Sequence, residues 1–287
     1  MKDNLVFSTD YEKMENNIIN LTNEYISSHG IKVLILGLSG GIDSALVAAL
    51  ASKVKVPLIG FGLPIQSDWE EQKRANHIGK AFCNEYCISS LTEWFVDSAS
   101  RMGILGKEGY RYAVARGNLK ARLRMIKLYD EAYHKGGMVL STDNLTEYLL
   151  GFWTLHGDVG DFGMIQQLWK TEVYELSNYL SMSLSGENEF KSSSLKACID
   201  AVPTDGLGIT ESDFDQIFPE YNKNCHPYHN YKTIDMRLRD HLEDKQSDPN
   251  DPVIKKYRET IFKRNHPWNL PRAQILNTSV IIESVEA

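Results

Sequence analysis

A β-prone run from Ile31 to Leu38 halts at Ser39-Gly40-Gly41, and an Ala- and Leu-rich stretch resumes from Ile42 to Lys53. A strand that is apolar at consecutive positions is buried on both faces, which requires a parallel sheet covered by helices on either side. The continuation reads as the helix that follows the strand. The loop Ser39 to Ser44, between the strand end and the helix start, therefore lies beyond the carboxyl end of a strand, where such sheets bind ligands. Glycines there permit positive φ and let backbone N–H groups approach closely. Together with the positive end of the next helix, those groups suit an anion such as phosphate. No Gly-Lys-Ser/Thr follows, so this is not a Walker A loop, and it is not GxGxxG either. Asp43, a carboxylate inside the loop, is compatible with bound phosphates when Mg²⁺ bridges the oxygens. The competing reading is a plain strand-to-helix turn with Asp43 as a helix cap.

The rest of the chain repeats the alternation. Met14, Ile18, Leu21 and Tyr25 mark a helix over Thr9 to Ser28, with Gly30 as its stop. Val56 to Leu63 reads as a second strand closed by Pro64, Asp68 to Phe82 and Gly109 to Lys135 as helices, Met138 to Ser141 as a strand and Lys170 to Leu180 as a helix. The expected architecture is α/β, a Rossmann-like parallel sheet with helices on both faces. A single domain is expected over residues 1–287. The Ser-rich segment Ser181 to Lys196 reads as a mobile loop, and Gln246 to Pro252 as a loop before a last helix.

The balance of 31 Lys and Arg against 38 Asp and Glu gives a net charge of −7, unlike the basic face of a nucleic-acid- or membrane-surface-binding protein. No apolar stretch approaches the roughly 18–20 residues of a membrane span, and the N-terminus lacks the pattern of a signal peptide. Cys83, Cys87, Cys198 and Cys225 form neither a CxxC pair nor a zinc spacing. A reduced, cytoplasmic protein is expected.

The Ser39-to-Ser44 loop resembles the SGGxDS pyrophosphate-binding motif of the ATP pyrophosphatases that release AMP, a group that includes GMP synthetase, asparagine synthetase, thiouridylases and NAD synthetase. Downstream blocks choose among them. RGNLKARLRM (Arg116 to Met125), STDNLTEYLLGF (Ser141 to Phe152), HGD (His156 to Asp158), LWKTEVYEL (Leu168 to Leu176), LGIT (Leu207 to Thr210) and FKRNHP (Phe262 to Pro267) resemble, in order and spacing, the ammonia-dependent NAD synthetases.

That resemblance implies an ATP-dependent amidation by free ammonia, through an adenylate of the nicotinate carboxylate. It implies ATP contacts from Gly37, Leu38, Ser39, Gly40, Gly41, Ile42, Asp43 and Ser44, and from Thr142, Lys170 and Thr204. Asp43 and Glu147 would hold Mg²⁺, while Arg122, Asp161 and Lys263 would meet the dinucleotide substrate. Asp43, Lys170 and Asp161 would be catalytic, a segment over about 253–287 would close over the substrate, and the assembly would be a homodimer.

The chain departs from the family where TKYGDGG is usual. Here Thr154 to Asp161 reads TLHGDVGD, with Leu155 in place of a lysine, and counting back from Lys170 favours Asp161 over Asp158. Phe262 stands where the family has a histidine. Three functions remain open: amidation of deamido-NAD, the same chemistry on nicotinic acid mononucleotide, and a nucleotide-binding regulator without turnover.

Overall fold

Five parallel strands in the order β3-β2-β1-β4-β5 form the centre of the protein. The computed structural model describes residues 10–157, 160–203, 212, 214–218, 221–243, 245 and 248–265. In chain order the elements are α1 (Tyr11–His29), β1 (Leu34–Gly37), α2 (Ile42–Ala51), β2 (Leu58–Gly62), α3 (Trp69–Phe82), β3 (Glu85–Ile88), α4 (Thr92–Arg101), α5 (Tyr110–Lys135) and β4 (Met138–Ser141). They continue with α6 (Leu145–Leu150), β5 (Phe162–Gly163), α7 (Lys170–Leu184), α8 (Glu189–Ile199), α9 (Phe214–Ile217), α10 (Pro227–Leu242), α11 (Pro252–Glu259) and α12 (Ile261–Arg264).

The consecutive apolar residues of β1 divide between two cores. Leu34, Leu36 and Leu38 pack with α2, α3, α7 and α8, whereas Val33 and Ile35 pack with α4 and α5. This is the period-two alternation of a strand with both faces covered. β1 is also the point at which the strand order reverses, since it pairs with β2 on one side and β4 on the other. The chain segments leaving β1 and β4 therefore diverge, and a crevice opens between them.

Local signals set the element ends. Asp10 caps α1 by accepting from Lys13 N, and Gly30 ends that helix at φ +64°. Asp68 caps α3, and Gly136 ends α5 at φ +60°. The helix boundaries expected for α1, α3 and α5 lie within two residues of those observed, and β1 and β2 are shorter than their apolar runs.

One expectation is overturned. The segment 181–196 is not a loop: α7 runs on to Leu184, and Glu189–Ile199 forms α8, packed against α7 and α3. Its serines serve the contact between the two helices. Ser192 Oγ donates to Ser181 O at 2.8 Å, and Ser194 Oγ donates within α8 to Phe190 O at 2.6 Å. Leu195, Cys198 and Ile199 are buried beneath them. Of the expected closing segment, residues 253–265 form most of α11 and all of α12, and the remainder lies outside the described residues.

Candidate active site

The crevice between β1 and β4 is a cavity of about 650 Å³. The loop after β1 forms one wall. Ser39 Oγ accepts from Gly41 N at 3.2 Å and lies 3.1 Å from Ser44 Oγ, and Ser44 Oγ donates to Gly41 O at 3.1 Å. These bonds close the loop on itself, and Gly41 is an N-cap without a side-chain acceptor, so the first amides of α2 have no side-chain cap of their own. Gly37, Leu38, Ser39, Gly41, Ile42, Asp43 and Ser44 line the cavity. Gly40, expected among the contacts, does not. It takes φ +85° and turns towards α3, where Arg74 Nε donates to its carbonyl at 2.9 Å.

Three distant residues converge on one point. Lys170 Nζ lies 2.5 Å from Asp43 Oδ2 and 2.8 Å from Glu147 Oε1. The Lys170 side chain is 3% exposed, and those of Asp43 and Glu147 are 16% and 20% exposed. Burial alone would lower the lysine's pKa, but the charges of Asp43 and Glu147 outweigh it and hold the group well above its ordinary value. Lys170 is thus an ammonium, not a base, at neutral pH. The ring of Tyr231 lies 5.2 Å from Nζ and adds a favourable cation–π contact.

The sequence reading missed Asn144. Its Nδ2 donates to Asp43 Oδ1 at 2.8 Å, while its Oδ1 caps α6 by accepting from Glu147 N at 3.0 Å. Asn144 stands three residues before Glu147, the N-cap spacing of a capping box, and that signal could have found it. Tyr231 and the rest of α10 carried no comparable sign.

Thr142 also lines the cavity, as do Arg122, Leu155, Phe262 and Lys263. Arg122 donates to Leu155 O at 3.2 Å, and Lys263 Nζ donates to the carbonyls of Gly151 and Trp153. His156, next in the TLHGDVGD stretch, holds φ +55°, a left-handed conformation that costs about 1–3 kcal/mol outside glycine. Asp161 stands apart from this group. It does not line the cavity: its carboxylate accepts from Tyr129 Oη at 2.8 Å and Val139 N at 3.0 Å, which fastens β5 beside β4. Thr204 and Asp158 lie outside the described residues.

Among the described lining residues, six cations (Arg74, Arg122, Arg124, Lys170, Lys256 and Lys263) face four acids (Asp43, Glu71, Asp143 and Glu147), a balance that suits an anionic ligand. The two carboxylates that share the Lys170 ammonium could equally share one divalent cation. Mg²⁺ takes one or two protein carboxylates and completes its shell with water and phosphate oxygens, and Asp43 and Glu147 would supply the carboxylates. Among the described residues no group of three or more His, Cys, Asp or Glu is gathered for a metal, so such an ion would draw its other ligands from substrate and solvent.

The sequence profile of NAD synthase matches residues 14–267. The chain belongs to the NAD synthase family. It is 30% identical over 274 residues to an NH(3)-dependent NAD(+) synthetase of Thermococcus sibiricus, covering 92% of this chain and 97% of the relative. It is 32% identical over 248 residues to the enzyme of the same name from Thermoplasma acidophilum, covering 84% and 89%. Among solved structures, an NMN synthetase from Francisella tularensis superposes with a TM-score of 0.72 at 24% identity, over 93% of this chain and 100% of that one. An NH3-dependent NAD synthetase from Campylobacter jejuni gives 0.64 at 24% identity, over 92% and 99%. The NAD synthase fold assignment thus rests on sequence and structure together.

Proposed function

We propose that this member of the NAD synthase family is a carbon–nitrogen ligase that amidates deamido-NAD with ammonia, consuming ATP in the presence of Mg²⁺ and releasing AMP and pyrophosphate. The observation that carries the reading is the convergence of Asp43, Glu147 and Lys170 beside the Ser39-to-Ser44 loop at the switch point of the sheet.

In this reading the nicotinate carboxylate attacks the α-phosphorus of ATP, pyrophosphate leaves, and ammonia then displaces AMP from the adenylate. The loop amides and the start of α2 hold the departing pyrophosphate. Asp43 and Glu147 are the residues that would hold Mg²⁺, which would supply positive charge to offset that of the phosphates. Lys170, relieved of the carboxylates, presents its ammonium to the phosphates without losing its proton. Arg122 and Lys263, each bonded to backbone carbonyls in this structure, would exchange those bonds for the acceptor. Holding the acceptor and ATP together is the larger part of the work, because orientation alone supplies about 7–11 kcal/mol in well-aligned reactions.

Leu155 and Phe262, both at the cavity wall, favour a second reading in which the acceptor is nicotinic acid mononucleotide. Purified protein with ATP, Mg²⁺ and ammonium, given either acceptor, decides between them. Preferred turnover of the dinucleotide supports the main reading, and preferred turnover of the mononucleotide replaces it. ATP binding with no AMP from either acceptor would bring forward the regulator. A homodimer and a cytoplasmic location belong to the same proposal; no helix among the described residues is long and apolar enough to cross a membrane.

A further inference from the structure

Helix α7 begins at Lys170 without a side-chain acceptor of its own, because its N-cap is Trp169, whose indole can only donate. The first amides of a helix nonetheless require acceptors when they are buried. Glu172 Oε2 takes the Trp169 N–H at 2.8 Å. The next two are supplied from elsewhere in the fold: Thr146 Oγ1 accepts from Lys170 N at 2.9 Å, and Asp235 Oδ2 accepts from Thr171 N at 2.9 Å. Thr146 Oγ1 in turn donates to Asp235 Oδ1 at 2.6 Å. With Asp235 as a carboxylate, the threonine hydroxyl donates to it and turns a lone pair to the Lys170 amide. Burial pushes the Asp235 carboxyl above its ordinary value, against the hydrogen bonds from Thr146 and Thr171 and the charge of Arg239, which pull it down. Thr146 and Asp235 are each 1% exposed.

Thr146 immediately precedes Glu147, and the Lys170 amide is the foot of the lysine whose ammonium meets Glu147. We propose that Asp235, acting through Thr146, is a positioning residue for the ATP site: it sets the backbone under Glu147 and the backbone under Lys170 at one spacing. This rests on the reading of Asp43, Glu147 and Lys170 as the ATP-side machinery. The ion pairs of Lys170 cannot serve that purpose throughout a turnover, since phosphates and metal must replace them. The Asp235–Thr146 link involves no side chain that the ligand displaces. A backbone bond from Leu145 N to Leu168 O, 2.8 Å, joins the same two segments, which leaves Asp235 and Thr146 to set the orientation of the first turn of α7. From α10, Asp235 holds the Thr171 amide next to the foot of Lys170, and Tyr231 packs beside the lysine's head.

The test compares Thr146→Val, which removes the hydroxyl at nearly constant volume, with Thr146→Ser, which keeps it, and with Asp235→Asn. Supporting partners behind a binding group typically contribute about 10- to 100-fold. Thr146→Val and Asp235→Asn should therefore lower kcat and weaken Mg·ATP binding by roughly that factor, with KM for the dinucleotide acceptor unchanged, while Thr146→Ser restores both. Thermal melts followed by circular dichroism establish that each variant is folded. If Asp235→Asn does not fold, the Val and Ser pair decides alone. A folded Thr146→Val with wild-type kcat and Mg·ATP affinity would overturn the proposal, and so would Thr146→Ser failing as badly as Thr146→Val. Should the unaltered protein form no AMP with any acceptor, the proposed function falls. Calorimetric Mg·ATP affinity of the Val and Ser variants still decides whether Asp235 and Thr146 position the site.

Discussion

An ammonium shared by two carboxylates defines what Lys170 can and cannot do. Its pKa is held above the ordinary lysine value of 10.5, so the stability and charge it contributes are complete below that value and are lost only as pH climbs through the higher folded one. kcat/KM for ATP, which reports the free enzyme in which Asp43 and Glu147 still hold Lys170, should accordingly show no basic limb attributable to loss of the Lys170 proton between about pH 6.5 and about pH 9.5. Such a limb, abolished by Lys170→Arg, would contradict the charged state assigned here. The cysteines give a second residue-scale expectation. Burial pushes the thiols of Cys83 and Cys198 up to about 12, whereas Cys87 is exposed on β3. Iodoacetamide at about pH 8 should label Cys87 first and leave Cys83 and Cys198 intact until the protein is unfolded, as read by peptide mass spectrometry. Early labelling of Cys198 would mean that the wall of the cavity opens readily.

The turn after β1 and the helix α8 carry the element-scale expectations. Gly40 cannot accept a side chain: its φ is +85°, and a Cβ would stand 2.3 Å from the Glu71 carbonyl oxygen on α3. Gly40→Ala should cost about 1–3 kcal/mol in a urea titration and weaken ATP binding by moving the loop off α3. An unchanged midpoint and affinity would show that the turn is less tightly held. Leu195 on α8 is completely buried. Leu195→Ala should destabilise the protein by about 2–5 kcal/mol, against less than about 0.5 kcal/mol for a residue in a solvated loop. What was legible in the sequence at this scale follows from burial. β1 and β4 are buried on both faces and read as apolar runs, and the glycines and Asp68 punctuate the helices beside them. β3 is mostly exposed at the edge of the sheet and shows no such run. α8 was misread because its serines look solvated, while in the fold some of them bond to α7 and let the two helices approach.

The whole molecule decides the remaining questions. α5 exposes Tyr110, Ile126 and Tyr133, at 64%, 52% and 86%, on a helix that the proposed homodimer would use. Sedimentation equilibrium should return twice the chain mass, and Tyr133→Glu should shift the population to monomer; a monomer in the unaltered protein would remove α5 from that role. The candidate site itself was half legible. The Ser39-to-Ser44 loop is contiguous, so its glycines and acid announce themselves, and Asp43, Glu147 and Lys170 do meet. Asp235 gave no sign, because its meaning lies in Thr146, 89 positions earlier, and in Thr171, 64 earlier.

The pairing of Asp43 with Lys170 also has a consequence for synthesis. The two residues are separated by 127 positions. A ribosome adding ~5–20 residues per second needs roughly 6–25 s to deliver the counter-ion after the acid has been made. Asp235 comes later still. During that interval Asp43 must remain in water, because a buried carboxylate without a partner is prohibitively costly. β1 and α2 can therefore settle early as apolar elements, while the crevice above them stays open and wet until α10 has left the exit tunnel. The nucleotide pocket is a late product of translation, even though its most recognisable loop precedes both Lys170 and α10 in the chain.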